Sequence, residues 1–270
     1  MDMRKWVAAS RSELEKEDAT RRLAWAREHE HLSAEDWLSW VWSDEMYVQR
    51  MAGASRGQTW VFRPGRRTPA KWKVGQGKCM PNRIYKRAKT SKEKVSVHMW
   101  SLFSGRKIGP LVRLHGDPGA KRKGASSLKY LRLLKQWLPD MIRQFPYGST
   151  IYFVQDGAGI HRGTVVKNWW MQVEERGISG RRIKLVKWPP YSPDLNPIEC
   201  AWARVKSLFE KKYPDMLDSQ YRGWALRKQI SDAVEHCWEL LDSDFFDSLA
   251  RSMPERIKAV IEADGWYTKY

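Results

Sequence analysis

Apolar positions recur along the chain in two periods, one near 3.6 residues and one of 2, and they divide it into helices and strands. Residues 12–31 set Leu14, Leu23, Trp25 and Ala26 among many charges, which predicts a helix. Trp37-Leu38-Ser39-Trp40-Val41-Trp42-Ser43-Asp44 is aromatic and β-branched, and it predicts a buried strand running out at Asp44. Residues 54–92, rich in Gly, Pro, Lys and Arg, predict a hairpin with irregular loops. Val95, Val97 and Met99 alternate with Ser96, His98 and Trp100, a strand signature. The turn Ser104-Gly105-Arg106-Lys107 leads to a second strand near 109–115, so the two form an antiparallel hairpin, followed by a basic loop over 116–124. Leu128, Leu131, Leu134, Leu138, Met141 and Phe145 have helical spacing, and Pro139 is expected to kink or split that helix. Residues 151–154 form a short apolar run typical of a central strand, stopping at Gln155-Asp156. Val166, Trp169, Trp170 and Val173 mark the next helix, and residues 183–188 another strand ended by Pro189-Pro190. Asn196-Pro197 opens a helix as cap and first-turn residue. The last 50 residues are helical, with Leu226, Ile230, Val234, Trp238 and Leu241 on one face. The order β, ββ, α, β, α, β, α predicts an α/β layer with a mixed sheet.

Composition narrows the class. Of 270 residues, 42% are hydrophobic and 30% charged, a globular balance. No apolar run reaches bilayer length, and Met1-Asp2-Met3-Arg4-Lys5-Trp6 lacks an apolar h-region, so neither a membrane protein nor a secretory signal is expected. Cys79, Cys200 and Cys237 contain no CxxC pair, which disfavours a disulfide framework and a structural zinc and predicts a reducing compartment. The net charge of +18 is confined to one segment. From Arg50 to Ala125, 20 lysines and arginines face two acids, Glu93 and Asp117, while the rest of the chain holds 29 of each sign. A basic block interleaved with Trp60, Phe62, Trp72 and Tyr85 suits a polyphosphate backbone, by counterion release and stacking. Candidate contacts are Arg63, Arg66, Arg67, Lys71, Lys73, Arg83, Lys86, Arg87, Lys89, Lys121, Arg122 and Lys123. A solvated basic face or a disordered loop is the competing reading. Lys86-Arg87-Ala88-Lys89 also fits a short nuclear-import pattern.

Three carboxylates fall at predicted element ends: Asp44, Asp156, and Glu199 in the first turn after Asn196-Pro197. In an open α/β sheet such ends converge on a ligand. Converging carboxylates repel one another unless divalent cations intervene, and hard oxygen donors select Mg²⁺ or Mn²⁺. Two such ions about 4 Å apart activate a nucleophile and stabilise the leaving oxygen of a phosphodiester. Each residue also has a plain reading: Asp44 as a strand-ending turn residue with Glu45 as the ligand instead, Asp156 as the opening of a Gly-rich turn, Glu199 as part of a capping box with Asn196.

Trp42-Ser43-Asp44-Glu45, then Val154-Gln155-Asp156 with His161 five residues on, then Trp188-Pro189-Pro190-Tyr191-Ser192-Pro193-Asp194-Leu195-Asn196-Pro197-Ile198-Glu199 together resemble the catalytic domain of mariner-superfamily (Tc/mariner-like) DDE transposases. Arg22-Leu23-Ala24-Trp25-Ala26 followed by Trp37 resembles the entry to that domain, and the likeness covers roughly 14–212. The resemblance implies an RNase H-like fold, a mixed five-stranded sheet flanked by helices. It implies Asp44, Asp156 and Glu199 as the metal-binding triad for two Mg²⁺ or Mn²⁺ ions. It also implies strand cleavage at transposon ends followed by 3′-OH attack on target double-stranded DNA, work that relatives do as dimers. A nuclear location follows in a eukaryote, the cytoplasm or nucleoid otherwise. The expected organisation is a lead-in over 1–13 without a helix-turn-helix domain, the catalytic domain over 14–212 and a helical C-terminal extension over 213–270. Departures are Gly157 where relatives carry Asn, and a 42-residue spacing between Asp156 and Glu199 that predicts a loop inserted near 176–182.

Glu45, His161 and Asp194 are candidates for supporting the triad, each with an ordinary structural alternative. Gly157-Ala158-Gly159 lacks the third glycine of a dinucleotide fingerprint, Arg162 standing in its place, so no small-molecule organic cofactor is expected. Most of the 16 tryptophans are expected in the core, with Trp60 and Trp72 as stacking candidates. Cys200, beside Glu199, has no evident base partner and reads as buried structure. Competing functions are a catalytically silent, DNA-binding transposase remnant and an RNase H-type nuclease acting on RNA–DNA hybrids.

Overall fold

The computed structural model describes residues 3–7, 14–50, 60–64, 78–79, 95–119, 124–217 and 223–270. At its centre, β3 (Trp40–Arg50) pairs antiparallel with β6 (Val95–Ser104), placing Asp44 opposite Ser101 and Tyr47 opposite His98. On its other side β3 runs parallel to β9 (Thr150–Val154), with Trp42 opposite Val154. Strand β10 (Arg182–Leu185) continues the sheet in parallel, and the far edge is closed by β7 (Lys107–Ile108) and β8 (Val112–Arg113), both antiparallel to β6. The mixed sheet has the order β10-β9-β3-β6-β7, with β8 also on β6. The second arm of the expected hairpin is thus broken in two at Gly109-Pro110, which turns a five-strand expectation into six. Two short pairs lie apart: β1 (Met3–Val7) with β4 (Trp60–Pro64), and β2 (Leu14–Glu15) with β5 (Lys78–Cys79).

Period-2 alternation splits the core between the two faces of this sheet. Trp40, Trp42, Met46 and Val48 of β3 point to one side with Val97, Met99 and Phe103 of β6. There they meet α4 (Ile198–Lys212), α5 (Gly223–Glu239), α6 (Ser243–Arg251) and α7 (Met253–Glu262), together with Trp25 and Ala26 of α1 (Lys16–His29). Val41, Trp100, Leu102, Ile151 and Phe153 point to the other side, onto α2 (Ser127–Arg143) and α3 (Thr164–Arg176). The helices after residue 213 therefore share one core with the sheet; Leu226, Ile230, Val234, Trp238 and Leu241 are all buried in it. Trp25, Trp37, Trp40, Trp42 and Trp188 form a ring-contact cluster on that face, so aromatic-rich sequence here is packing. Among the described residues no helix is long and apolar enough to cross a membrane.

Five local expectations change. The first strand begins at Trp40 because residues 36–39 form a 3₁₀ turn, fixed by Asp36 Oδ2 accepting the N–H (2.8 Å) and hydroxyl (2.6 Å) of Ser33. It does not end at Asp44, since Met46 and Val48 keep their pairing with Met99 and Val97. Pro139 does not split α2, which runs unbroken from Ser127 to Arg143. The strand expected over 183–188 ends at Leu185, with Val186 N–H still donating to Phe153 O at 2.9 Å. The connection expected as an inserted loop is a tight turn, in which Ile178 and Arg181 exchange two backbone hydrogen bonds of 3.0 Å after Gly177 at φ +71°.

Candidate active site

Asp44 and Asp156 come together because their strands are neighbours. Each lies two residues beyond the pair Trp42–Val154, at the same end of parallel β3 and β9. Asp44 Oδ1 accepts the N–H of Glu45 at 2.7 Å. Its Oδ2 accepts from Asn196 Nδ2 at 3.4 Å, a long hydrogen bond. Glu199 follows in the first turn of α4. Burial pushes the Asp44 carboxyl well above the usual range, and repulsion from Glu199, Glu45 and Asp156 adds to it. That repulsion is the physical sign that the three predicted carboxylates share one locality.

Alternation turns Glu45 to the opposite face of β3 from Asp44, toward α2. There Glu45 Oε1 meets His161 Nε2 at 3.0 Å, and His161 Nδ1 meets Asp156 Oδ1 at 2.8 Å. Burial disfavours the imidazolium, but the hydrogen bonds to Asp156 and Glu45 outweigh it and hold the His161 pKa at about 10. For Asp156 burial again acts upward; the His161 hydrogen bond and charge, the Ala158 N–H at 2.8 Å and Arg162 overcome it and lower the carboxyl. The floor beneath is fixed by Tyr130, whose ring centroid lies 4.2 Å from that of His161 and whose hydroxyl donates to Gln155 Oε1 at 2.8 Å. Trp170 Nε1 donates to the same oxygen at 3.3 Å.

Of the supporting candidates, Glu45 and His161 thus lie in the cluster. Asp194, 2% exposed, is held by Arg22 and by Thr268 in a buried network. Asn196 was legible only as a helix cap. In the structure Pro197 occupies the cap position and Ile198 opens α4, which frees the Asn196 side chain to reach Asp44. Its Oδ1 is buried with no hydrogen-bond partner. The basic candidates Arg66, Arg67, Lys71, Lys73, Arg83, Lys86, Arg87, Lys89, Lys121, Arg122 and Lys123 lie outside the described residues, as does the side chain of Arg63. The same holds for Trp72 and for the side chain of Trp60.

The donor set fits a hard divalent cation. Asp44, Asp156 and Glu199 offer carboxylate oxygens, the hard donors that such a cation takes. Ligand atoms of Glu45, Asp156 and His161 also lie within 4.8 Å of one another. In that second group one His161 ring faces two carboxylates, which keeps the group negative overall.

The DDE superfamily endonuclease family model matches residues 132–219. The Tcb2 transposase of a Caenorhabditis briggsae transposable element is 28% identical over 262 residues, covering 97% of this chain and 81% of the relative. The Tc1 transposase of Caenorhabditis elegans is 26% identical over 263 residues, covering 95% and 80%. Among solved structures, the catalytic domain of Mos1 mariner transposase superposes with a TM-score of 0.55 at 14% identity, covering 98% of this chain and all of that one. The mariner Mos1 paired-end complex with Mg gives a TM-score of 0.61 at 15% identity, and its counterpart with Mn 0.61 at 16%; this chain spans 66% of the length of those two. The superpositions establish the RNase H-like fold.

Proposed function

We propose that the chain carries a transposase catalytic domain of Tc1/mariner type and that it cuts DNA strands and joins 3′-OH ends to target DNA, with Asp44, Asp156 and Glu199 as metal-holding residues. The observation that supports this reading is that Asp44 and Asp156 follow the pair Trp42–Val154 at one end of neighbouring parallel strands, while Asn196, three residues before Glu199, donates to Asp44 Oδ2. Two divalent ions, Mg²⁺ or Mn²⁺, would supply an activated water or 3′-OH and stabilise the leaving oxygen. The chain's own residues do the rest. Asn196 orients Asp44 by donating to Oδ2. His161 holds Asp156 from behind and ties it to Glu45 on the neighbouring strand. The Tyr130–Gln155–Trp170 floor fixes His161 in turn. Double-stranded DNA is the partner, gripped by the basic segment between 50 and 125, and two copies act on paired ends in the nucleus.

The test is Mn²⁺-dependent nicking of supercoiled DNA by the purified chain. Asp44→Ala, Asp156→Ala and Glu199→Ala are each expected to abolish nicking while circular dichroism and melting stay near wild type. Full activity in any one variant removes that residue from the set. Salt-sensitive DNA binding without any nicking would favour the non-enzymatic reading.

A further inference from the structure

We propose that the segment 265–270 is part of the active-site scaffold, with Thr268 and Arg22 as positioning residues for the loop that carries Asn196 and Glu199. The proposal rests on the reading of Asp44 and Glu199 as metal-holding carboxylates.

Three parts of the chain remote in sequence meet at Asp194. Arg22 of α1, fully buried, forms a two-pronged pair with it: Nη1 to Oδ1 and Nη2 to Oδ2, both at 2.8 Å. The same guanidinium donates from Nε to Gly265 O at 2.7 Å and from Nη1 to Tyr191 O at 3.0 Å. Asp194 Oδ2 also accepts the backbone N–H of Thr268 at 2.9 Å and its hydroxyl at 3.0 Å. From α7, Arg256 Nη1 donates to Asp194 O at 2.8 Å, and its Nη2 lies 3.1 Å from Cys200 Sγ, the residue after Glu199. The loop is therefore gripped on both sides of Asn196, whose amide touches Asp44. Gly265 lets the segment approach α1: at φ +79°, a Cβ there would lie 1.8 Å from Ala19 O.

A buried carboxylate that loses a donor must either find another or move. With every donor in place the loop between Tyr191 and Cys200 has one arrangement, and Asn196 and Glu199 inherit it. The hydroxyl of Thr268 donates to Asp194 Oδ2 at 3.0 Å and accepts the N–H of Tyr270 at 3.3 Å, so its route to the chemistry runs through the loop that carries Asp194.

The experiment compares Thr268→Val, which keeps the shape and the backbone N–H, with Thr268→Ser, which restores the hydroxyl, both in the full chain. Mn²⁺ affinity is read by electron paramagnetic resonance without DNA, alongside kcat for nicking, DNA affinity and melting temperature. Thr268→Val is expected to weaken Mn²⁺ binding and lower kcat by about tenfold each, with DNA affinity unchanged, and Thr268→Ser to recover both. Amide exchange over 195–199 in the metal-free protein should quicken in the valine variant and not in the serine variant; this readout decides the matter even if the valine variant is too unstable for kinetics. Wild-type Mn²⁺ affinity and kcat in Thr268→Val overturn the proposal, as does failure of serine to restore them. If the wild type binds Mn²⁺ without nicking, the functional reading falls while the valine-to-serine ratio of Mn²⁺ affinities still decides this one. A wild type that binds no Mn²⁺ overturns both.

Discussion

Replacing Arg22 by Met is expected to be among the most destabilising single changes outside the apolar core. The guanidinium and the Asp194 carboxylate are both at 0% side-chain exposure. Met fills much of the volume but removes both prongs of the pair, and it strips hydrogen bonds from Gly265 O and Tyr191 O. What remains is a buried carboxylate that still accepts the Thr268 backbone N–H and hydroxyl but has lost its guanidinium partner. Breaking a buried pair from one side costs roughly 3–5 kcal/mol, because the surviving charge keeps its desolvation penalty without its partner. For a chain of this size each kcal/mol lowers the melting point by about 2–4 °C, so a drop on the order of 10 °C is expected. Thermal and urea unfolding followed by tryptophan fluorescence measure it directly, since Trp25 and Trp188 lie in ring contact near α1. The decisive comparison adds Asp194→Leu. If the loss comes from an uncompensated charge, the double variant Arg22→Met/Asp194→Leu is more stable than the sum of the single effects predicts. Additive losses, or an Arg22→Met variant within about 1 kcal/mol of wild type, would refute the reasoning.

Other outcomes follow from the same geometry. Neutralising Lys121, Arg122 and Lys123 together should weaken binding to all DNA sequences alike and flatten the salt dependence; an unchanged affinity places the contact elsewhere in the basic segment. In metal-free protein the His161 pKa is raised from 6.5 to about 10, so its stabilising contribution is complete below the unfolded value and disappears as pH rises through about 10. Melting curves of wild type and His161→Gln should therefore differ most at pH 6 and converge near pH 11; a gap that widens with pH contradicts the assignment. Gly265→Ala forces a side chain into the left-handed region and against Ala19 O, with a loss of at least about 2 kcal/mol that a calorimetric scan would show.

Much of the layer architecture was legible in the sequence because burial imposes a period. Val95, Val97 and Met99, the run over 151–154 and the helical stripe from Leu131 to Phe145 each face the core as their spacing requires, whereas Leu128, at the start of that stripe, is 52% exposed. The three carboxylates were legible as a set because they lie beside blocks of unusual residues, and the DDE endonuclease match over 132–219 agrees with the last of those blocks. Boundaries were less legible. Asp44 reads as a strand end by its charge, yet it is an interior position, because pairing with β6 continues through Glu45 to Arg50.

Which residues are apolar at which period, where the positive charge concentrates and which carboxylates could serve chemistry are all written in the residue order. What those groups meet is set when the chain folds. A run such as Asp194-Leu195-Asn196 reads as a turn, and nothing in it announces that Asp194 is claimed by Arg22 and Thr268, 172 and 74 residues away, while Asn196 turns to Asp44. The reason is physical: periodicity records only whether a side chain leaves water, whereas a buried polar group must find its partner wherever the folded chain brings one.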